Sequence, residues 1–261
     1  MRYPPTLHEA RISEIFSSLQ GEGTHMGERH IFIRFEECHI HCEYCDELDK
    51  PAKLMSLEEI IQTTAQLEKE EGPHSFVSLT GGEPLLYVNF LEPLMLRLKA
   101  QGFRIYLETN GILCQALEQV LGWCDVIAMD MKPASVTKEK SFLAEHRRFL
   151  QLAKNKEVFI KIIISKEINV TEFQEHICLI QEMAPETPVI LQPVSRGAVT
   201  APTGTGRGTS SSAAKPRNPA PTEGHEDPAL MELLGELQRM AGRMIPDVRI
   251  MPRLHRILRI R

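Results

Sequence analysis

The sequence predicts an α/β protein with a mostly parallel sheet. From Phe76 onward, short apolar runs alternate with segments of helical periodicity, and repeated β–α units of this kind build parallel sheets with helical crossovers. The run VFIKIII at 158–164 is almost continuously apolar, which is typical of a strand buried on both faces. Several apolar runs end in glycine or proline, which mark the turns between elements.

The individual elements follow from these patterns. Before Phe76, RISEIFSSLQGEG and HIFIRFE are predicted strands. A helix, SLEEIIQTTAQLEKEEG, is predicted to begin at Ser56, a favourable N-cap residue. Further strands are predicted at 76–80, 103–111, 125–133, 157–165 and 188–195, with a helix between each pair, and the helix PALMELLGELQRMAGRM and the strand DVRIM follow before the ending PRLHRILRIR.

The segment 196–227 differs from the rest of the chain. It is rich in Gly, Pro, Ser, Thr and Ala and almost free of large apolar residues. Such a segment cannot bury enough apolar surface to offset the entropy lost on ordering it. We therefore expect one domain over 1–261, with a disordered low-complexity insertion at 196–227.

Composition narrows the class of protein. The chain has 261 residues and a net charge of −5, so bulk electrostatics do not predict nucleic-acid binding. The sequence has no run of 18 apolar residues and no apolar core of a secretory signal, so neither a membrane span nor secretion is predicted. Three of the six cysteines are clustered and three are scattered, which is unlike an extracellular disulfide framework. We expect a cytoplasmic protein.

The clustered cysteines, Cys38, Cys42 and Cys45, have the spacing C-x3-C-x2-C. A disulfide between any two would close a very small loop, and a reducing compartment favours metal binding or redox work instead. Zinc usually takes four ligands, and His39 or His41 is a candidate for the fourth. A four-iron cluster normally takes four cysteines, so three would leave one iron open to a small chelating molecule. The spacing alone leaves zinc and iron open.

A second motif, Thr80-Gly81-Gly82-Glu83-Pro84, follows the predicted strand FVSL. Paired glycines permit φ > 0 and let the backbone come close to a ligand. In folds with parallel strands, ligands bind at the carboxyl ends of the strands. The motif therefore predicts a ligand site at this strand end, although a glycine turn before a proline-started helix explains the same residues.

Together, the cysteine triplet and the Gly-Gly-Glu-Pro stretch resemble the motifs of the radical S-adenosylmethionine (radical SAM) superfamily. The resemblance implies an incomplete (β/α) barrel of the radical SAM type. It also implies that Cys38, Cys42 and Cys45 hold a [4Fe–4S] cluster whose fourth iron is chelated by the amino and carboxylate groups of S-adenosylmethionine. An electron from such a cluster cleaves the sulfonium and releases a 5′-deoxyadenosyl radical.

Within that superfamily, the chain resembles the 7-carboxy-7-deazaguanine synthase family. The resemblance is carried by EIFSSLQGEG at 14–23, GERHIFIRF at 27–35 and the histidine near the chain end. It implies a lyase of queuosine biosynthesis that converts 6-carboxy-5,6,7,8-tetrahydropterin to 7-carboxy-7-deazaguanine and releases ammonia. It also implies assistance by Mg²⁺, an electron donor such as flavodoxin or ferredoxin, and a homodimer.

The resemblance further implies residue roles. Arg34 pairs with the substrate carboxylate, an anion that a guanidinium fork binds in a bidentate manner. The other residues implied at the pterin are Leu19, Gln20, Gly21, Thr80, His255 and Arg261, the last through the terminal carboxylate. The residues implied at S-adenosylmethionine are Tyr44, Cys45, Asp46, Gly82, Asp130, Met131, Lys132, Gln192, Pro193, Val194 and Ser195.

Two positions depart from the family pattern. The family commonly has a magnesium-ligating threonine two residues after the third cysteine, where this chain has Glu47. A carboxylate is also a good magnesium ligand, so Glu47 is the candidate here. Glu37 stands where the family tends to have glycine, and its charge is expected to lower the reduction potential of the cluster. These departures leave open a divergent radical enzyme with another substrate.

The cysteine triplet is also compatible with two rival functions. A glycyl-radical activase uses the same cysteine spacing, and a zinc-stabilised binding module would use His39 or His41. Arg34 alternates with apolar residues in a strand and could simply point to solvent. We expect His39 and His41 to face solvent, and Cys114, Cys124 and Cys178 to be small buried hydrophobes.

Overall fold

The computed structural model of the protein describes residues 8–45, 51–194 and 227–258, without the side chains of residues 255 and 256. Within these residues, strands and helices alternate along the chain. The strands are β1 Glu9–Leu19, β2 Arg29–Phe35, β3 Lys53–Ser56, β4 Phe76–Gly81, β5 Ile105–Thr109, β6 Val126–Met131, β7 Glu157–Ile164, β8 Val189–Pro193 and β9 Val248–Ile250. The α-helices are α1 Leu57–Glu71, α2 Val88–Ala100, α3 Cys114–Val120, α4 Ala134–Thr137, α5 Leu143–Ala153, α6 Val170–Met183, α7 Pro228–Ala241 and α8 Leu254–Leu258.

The described strands form one open sheet in the order β3-β1-β2-β4-β5-β6-β7-β8-β9. From β2 to β9, neighbouring strands run parallel, with helices in the crossovers. β1 is antiparallel to both β2 and β3. The predicted fold class is confirmed: the sheet is mostly parallel and does not close, as in an incomplete (β/α) barrel.

Helix α1 begins at the predicted cap. The Ser56 hydroxyl accepts a hydrogen bond from the Glu59 N–H at 3.3 Å, and the Glu59 carboxylate accepts one from the Ser56 N–H at 2.7 Å. This reciprocal pair satisfies two of the N–H groups that a helix start leaves unpaired, and such a cap contributes about 1 kcal/mol. None of the described helices has the length and apolar character that crossing a membrane requires.

Three details differ from the sequence expectations. Strand β3 was not predicted, because KLMS lacks a strand pattern and becomes a strand only by pairing with β1. The expectation that Cys178 is buried is wrong, whereas Cys114 and Cys124 are buried as predicted. Asp227, taken as the end of the insertion, is the N-cap of α7, and its carboxylate accepts hydrogen bonds from the first turn. Residues 195–226 lie outside the described residues.

Side chains alternate between the two faces of the sheet. One face packs against the helices and forms the large apolar core. The inner face changes character along the strands. Toward the amino ends it carries the apolar residues Phe76, Tyr106, Val126, Phe159 and Ile190. Toward the carboxyl ends it carries Arg34, Thr80, Glu108, Asp130 and Lys161. Burying charged groups is unfavourable unless they are paired, so this polar end of the inner face is the place to seek function.

Candidate active site

A cavity opens at the carboxyl ends of the parallel strands. Its wall combines the polar inner-face residues with the loop after β1 and the cysteine loop after β2. It therefore brings together sequence regions that are far apart in the chain. The predicted site residues on this wall are Leu19, Gln20, Gly21, Arg34, Cys38, Cys42, Tyr44, Cys45, Thr80, Gly82, Asp130 and Lys132.

The remaining predicted site residues are placed differently. Met131 stands between Asp130, in the same strand, and Lys132, directly after it, and its side chain packs in the helix-side core. Gln192 and Pro193 are buried in β8 and Val194 follows them, all outside the lining of the cavity. Asp46, Glu47, Ser195 and Arg261 lie outside the described residues, as does the side chain of His255.

The three predicted cluster ligands lie on one side of the cavity. The Cys45 N–H donates to the Cys42 carbonyl at 3.0 Å, and the cysteines pack around Ile40 and Phe142. Burial raises the pKa of the Cys38 thiol to about 11 and raises that of Cys42 as well. The raised pKa favours the protonated thiols, so binding of a metal centre as thiolates releases protons.

The candidate fourth zinc ligands do not join the three cysteines. His39 and His41 are exposed, as predicted. Among the described residues, no three His, Cys, Asp or Glu side chains converge closely enough to hold a metal ion. An iron–sulfur cluster does not require such convergence, because each thiolate binds a different iron.

The paired glycines bring the turn after β4 against the segment that leads into the cysteine loop. Gly81 has a φ of +115°, and a Cβ there would lie 2.2 Å from the Phe35 carbonyl oxygen. A Cβ on Gly82 would lie 2.1 Å from the Glu37 carbonyl oxygen. The Gly82 N–H donates to Phe35 at 2.8 Å and the Glu83 N–H to Glu37 at 2.7 Å. The close approach therefore joins the two predicted motifs.

Glu83 fixes the same turn to the end of β5. It is fully buried, and its carboxylate accepts hydrogen bonds from the Leu85 N–H at 3.1 Å, the Thr109 hydroxyl at 2.9 Å and the Asn110 N–H at 2.8 Å. Burial raises the pKa of Glu83 to about 7, against the opposite effect of these donors. Glu83 therefore links the glycine turn to the end of β5 beside the site.

Gln20 and Thr80 meet at a carboxylate that the sequence reasoning missed. The Gln20 amide donates to Glu108 Oε1 at 3.0 Å and the Thr80 hydroxyl donates to Glu108 Oε2 at 2.9 Å. Burial is the main reason that the pKa of Glu108 is raised, although Lys161 opposes it. The signal for Glu108 was present, since it is the only charged residue in the strand IYLET.

Arg34 lies on the cavity wall. Its side chain is 19% exposed and its Nε lies 3.6 Å from Glu14 Oε2. Its guanidinium carbon lies 5.6 Å from the centre of the Phe16 ring. The guanidinium is thus held at the edge of the cavity, where it can meet an anion.

A row of alternating charges crosses the floor of the cavity. Lys132 Nζ lies 2.9 Å from Asp130 Oδ2, Lys161 Nζ lies 3.0 Å from Asp130 Oδ1, and Lys161 donates to Glu22 Oε2 at 2.6 Å. Arg253 Nε lies 3.2 Å from Glu22 Oε1. Burial opposes ionisation of Asp130, but Lys132 and Lys161 hold its pKa below the usual value. Sequence reasoning missed Glu22, Lys161 and Arg253 in this row.

The end of the described chain reaches the same loop. The Leu254 N–H donates to the Gly21 carbonyl at 2.9 Å, directly after the Arg253–Glu22 ion pair. The segment that carries His255 therefore lies beside the loop that carries Gln20.

Asn110 presents its side chain to the cavity. It is 5% exposed, and neither polar atom of its carboxamide has a hydrogen-bond partner in the described part of the chain. Its backbone is held by Glu83 and by His146, whose Nε2 lies 3.1 Å from the Asn110 carbonyl oxygen. The carboxamide is therefore positioned to bind a ligand.

His146 predicts a pH dependence of stability. Burial, followed by the nearby His176, lowers the pKa of His146 to about 3, whereas an unfolded histidine titrates near 6.5. Below pH 6.5 the unfolded chain therefore binds a proton that the folded chain does not, and stability falls as pH falls. We expect His146 to contribute about 2 kcal/mol of this loss between pH 6.5 and pH 5.

Urea unfolding of the apo-protein measures this contribution. His146→Gln should be less stable than the wild type at pH 8, and the difference should shrink by about 2 kcal/mol at pH 5. His41→Gln, at an exposed position, is the control and should show no such trend. A constant difference between His146→Gln and the wild type over this pH range contradicts the prediction.

The comparisons with known proteins agree with this geometry. The model of the radical SAM superfamily matches residues 32–164. A protein of Geobacter sulfurreducens named 7-carboxy-7-deazaguanine synthase is 32% identical over 95% of this chain and 97% of its own length. This chain belongs to the 7-carboxy-7-deazaguanine synthase family. A synthase of the same name from Methanopyrus kandleri is 28% identical over 95% of this chain and 92% of its own length.

A solved structure agrees with the fold. The crystal structure of QueE from Escherichia coli superposes with a TM-score of 0.52 at 22% identity, covering 71% of this chain and 83% of that chain. At this identity the likeness concerns the fold alone. Membership in the 7-carboxy-7-deazaguanine synthase family makes the chain a radical SAM enzyme with an iron–sulfur cluster, and it disfavours the glycyl-radical activase and the zinc-stabilised module.

Proposed function

We propose that the protein is a radical SAM lyase that converts 6-carboxy-5,6,7,8-tetrahydropterin to 7-carboxy-7-deazaguanine and releases ammonia. The conversion removes only the elements of ammonia, so it needs no net oxidant. The observation that carries the proposal is the relationship to the Geobacter sulfurreducens synthase along 95% of this chain. The convergence of the three cysteines, the glycine turn and Arg34 on one cavity supports it.

The residues present fit a [4Fe–4S] cluster with S-adenosylmethionine. Cys38, Cys42 and Cys45 would hold the cluster, and the turn at Gly82 would support the methionine end of the cofactor. Together the two groups supply, when bound, a radical that abstracts a hydrogen atom from the substrate. The protein contributes the apolar packing around the thiols, which limits the access of water to the radical chemistry.

The cofactor half of the cavity is assigned to the charged end of β6. Asp130 Oδ1 lies 3.0 Å from Lys161 Nζ, and a carboxylate oxygen can accept a second hydrogen bond, here proposed to come from a ribose hydroxyl. Lys132 Nζ lies 5.9 Å from the Tyr44 ring centre, which supports the proposal that a cation and an aromatic ring contact the nucleoside together. Gln192 is proposed to contact S-adenosylmethionine as well, because its buried amide lacks a hydrogen-bond partner among the described residues. The roles of Cys45, Asp46, Met131, Pro193, Val194 and Ser195 remain proposals from the family resemblance.

The pterin half of the cavity is assigned to the loop after β1. Leu19, Gln20 and Gly21 would contact the ring through backbone and amide groups, which match its row of donors and acceptors. Glu108 holds Gln20 and Thr80 in place and adds a carboxylate at the base of this half. Arg34 would bind the substrate carboxylate at the cavity edge. His255 and Arg261 are proposed to close over the pterin, which agrees with the docking of residue 254 on Gly21.

Further parts of the proposal rest on the family resemblance. Mg²⁺ would assist, with Glu47 as its candidate ligand. A small one-electron donor such as flavodoxin or ferredoxin would reduce the cluster, and the protein would act as a homodimer in the cytoplasm. Removing Mg²⁺ with a chelator and restoring it would test the role of the metal, and measuring the mass of the particle in solution would test the homodimer.

The conversion itself decides the proposed function. After anaerobic reconstitution with iron and sulfide, the protein is incubated with 6-carboxy-5,6,7,8-tetrahydropterin, S-adenosylmethionine and a reductant. We expect 7-carboxy-7-deazaguanine and ammonia in equal amounts, with S-adenosylmethionine regenerated. Cleavage of S-adenosylmethionine without deazaguanine would reject this substrate while leaving the superfamily assignment in place.

Arg34→Ala tests the substrate half. Loss of the guanidinium is expected to weaken substrate binding by about 1–3 kcal/mol, which appears mainly as a higher KM. The iron content and the cluster absorbance should not change. Arg29→Ala is a matched control, because Arg29 lies at the exposed start of the same strand. Equal KM values for Arg34→Ala and the wild type would contradict the assigned role.

A further inference from the structure

Lys161 has an unusual position for a lysine. It is the only charged residue in the run VFIKIII of β7, an interior strand of the sheet, and it is 5% exposed. Its partner in the register with β6 is Asp130, so the two side chains project from neighbouring strands into the cavity. A lysine is almost never buried to this extent unless its charge is paired.

The surroundings keep Lys161 in its charged form. Burial alone would lower the pKa of the ammonium, but Asp130, Glu22 and Glu108 outweigh that effect and raise it above the usual value. A lysine that acts as a base or forms a Schiff base needs a lowered pKa. Lys161 is therefore a fixed cation, which suits it to orienting other groups.

The groups that Lys161 contacts belong to the two halves of the cavity. It donates to Glu22 Oε2 at 2.6 Å, and Glu22 lies in the loop that also carries Gln20 and Gly21. It also lies 3.0 Å from Oδ1 of Asp130, a cavity-lining residue that the proposed function assigns to the cofactor half. Glu22 is 139 residues away in the sequence, so this bridge exists only in the folded protein.

We propose that Lys161 is a positioning residue that couples the pterin half of the cavity to the cofactor half. The inference rests on the proposed function. A ligand that fixes Asp130 also fixes the ammonium, and the ammonium fixes Glu22 and the loop that carries Gln20. Binding of either ligand therefore prepares the site for the other, and the coupling acts equally in both directions.

Binding measurements without turnover test the coupling. The reconstituted protein, kept oxidised and without reductant, is titrated with S-adenosylmethionine and with 6-carboxypterin, the aromatic analogue that cannot react. In the wild type, saturating S-adenosylmethionine should tighten binding of 6-carboxypterin several-fold. Lys161→Met keeps an unbranched side chain of similar shape and removes the ammonium group. It should weaken each ligand by about tenfold and abolish the mutual effect.

Further variants separate positioning from folding. Glu22→Gln breaks the same bridge from the other side, so the double variant should bind no more weakly than Lys161→Met alone. Lys161→Arg keeps a cation and should recover part of the coupling. Lys154→Met, at an exposed position, should match the wild type. The iron content and the thermal midpoint of each variant are measured with every titration. If Lys161→Met lowers either of them, the inference is judged from the coupling measured in Glu22→Gln.

The outcomes distinguish this inference from the proposed function. A wild type that forms 7-carboxy-7-deazaguanine, together with Lys161 and Glu22 variants that retain the mutual effect of the two ligands, overturns the inference and leaves the function standing. Loss of affinity for one ligand only also overturns it, because the bridge would then serve a single half. A wild type whose affinity for 6-carboxypterin does not depend on S-adenosylmethionine also overturns the inference, whereas a wild type that forms no 7-carboxy-7-deazaguanine rejects the proposed function.

Discussion

Replacing Cys42 by alanine is expected to abolish turnover, with a loss greater than about 1,000-fold. Cys42 is the most buried of the three proposed ligands, at 7% exposure, and two thiolates do not retain a four-iron cluster that normally needs more. The fold should persist, because a buried thiol behaves as a small apolar group and its removal leaves only a small cavity. The iron and sulfide content after anaerobic reconstitution, together with the absorbance at about 400 nm, measures the loss of the cluster directly.

Cys124→Ala is the matched control for this experiment. Cys124 is 2% exposed and packs in the helix-side core, so its replacement removes a buried thiol without touching the cavity. It should retain full iron content and near-normal turnover. Wild-type iron content in Cys42→Ala, or bound zinc in place of iron in the wild type, would contradict the assignment of the cluster ligands.

The parts of the fold that sequence predicts are those decided by local patterns. β7 is predictable because six of the seven residues in VFIKIII are apolar, and such a run is stable only as a strand buried on both faces. The start of α1 is predictable because Ser56 and Glu59 cap the helix through neighbouring residues. β3 is different, because its four residues acquire strand geometry from β1, a partner more than 30 residues earlier.

The same division holds within the candidate site. The cysteine triplet and the glycine turn are each formed by a few neighbouring residues, so each can be recognised from a short stretch of sequence. The bridge from Glu22 to Lys161 spans 139 residues, so its two ends meet only in the folded protein. A usable signal existed, since Glu108 is the only charged residue in IYLET and Lys161 the only one in VFIKIII, and a buried lone charge requires a partner.

Replacing Glu83 by alanine is expected to destabilise the apo-protein by about 3 kcal/mol. The carboxylate is the shared acceptor of three donors on buried residues, from Leu85, Thr109 and Asn110, and its removal leaves all three without this acceptor. The thermal midpoint should fall by roughly 6–12 °C. Measurements belong at pH 8, because burial raises the pKa of Glu83 to about 7 and the carboxylate must be ionised in the reference protein.

The loss of Glu83 should also reach the cluster. The turn that contains it is hydrogen-bonded to Phe35 and Glu37, immediately before the first cluster cysteine, so a loosened turn loosens the cysteine loop. Glu83→Gln retains an acceptor oxygen and should fall between the alanine variant and the wild type in both stability and iron content. Glu118→Ala removes a carboxylate whose ion pair with Arg148 is exposed, and should change stability by less than about 0.5 kcal/mol. If the free energy of unfolding of Glu83→Ala equals that of Glu118→Ala, the buried carboxylate does not hold the two motifs together.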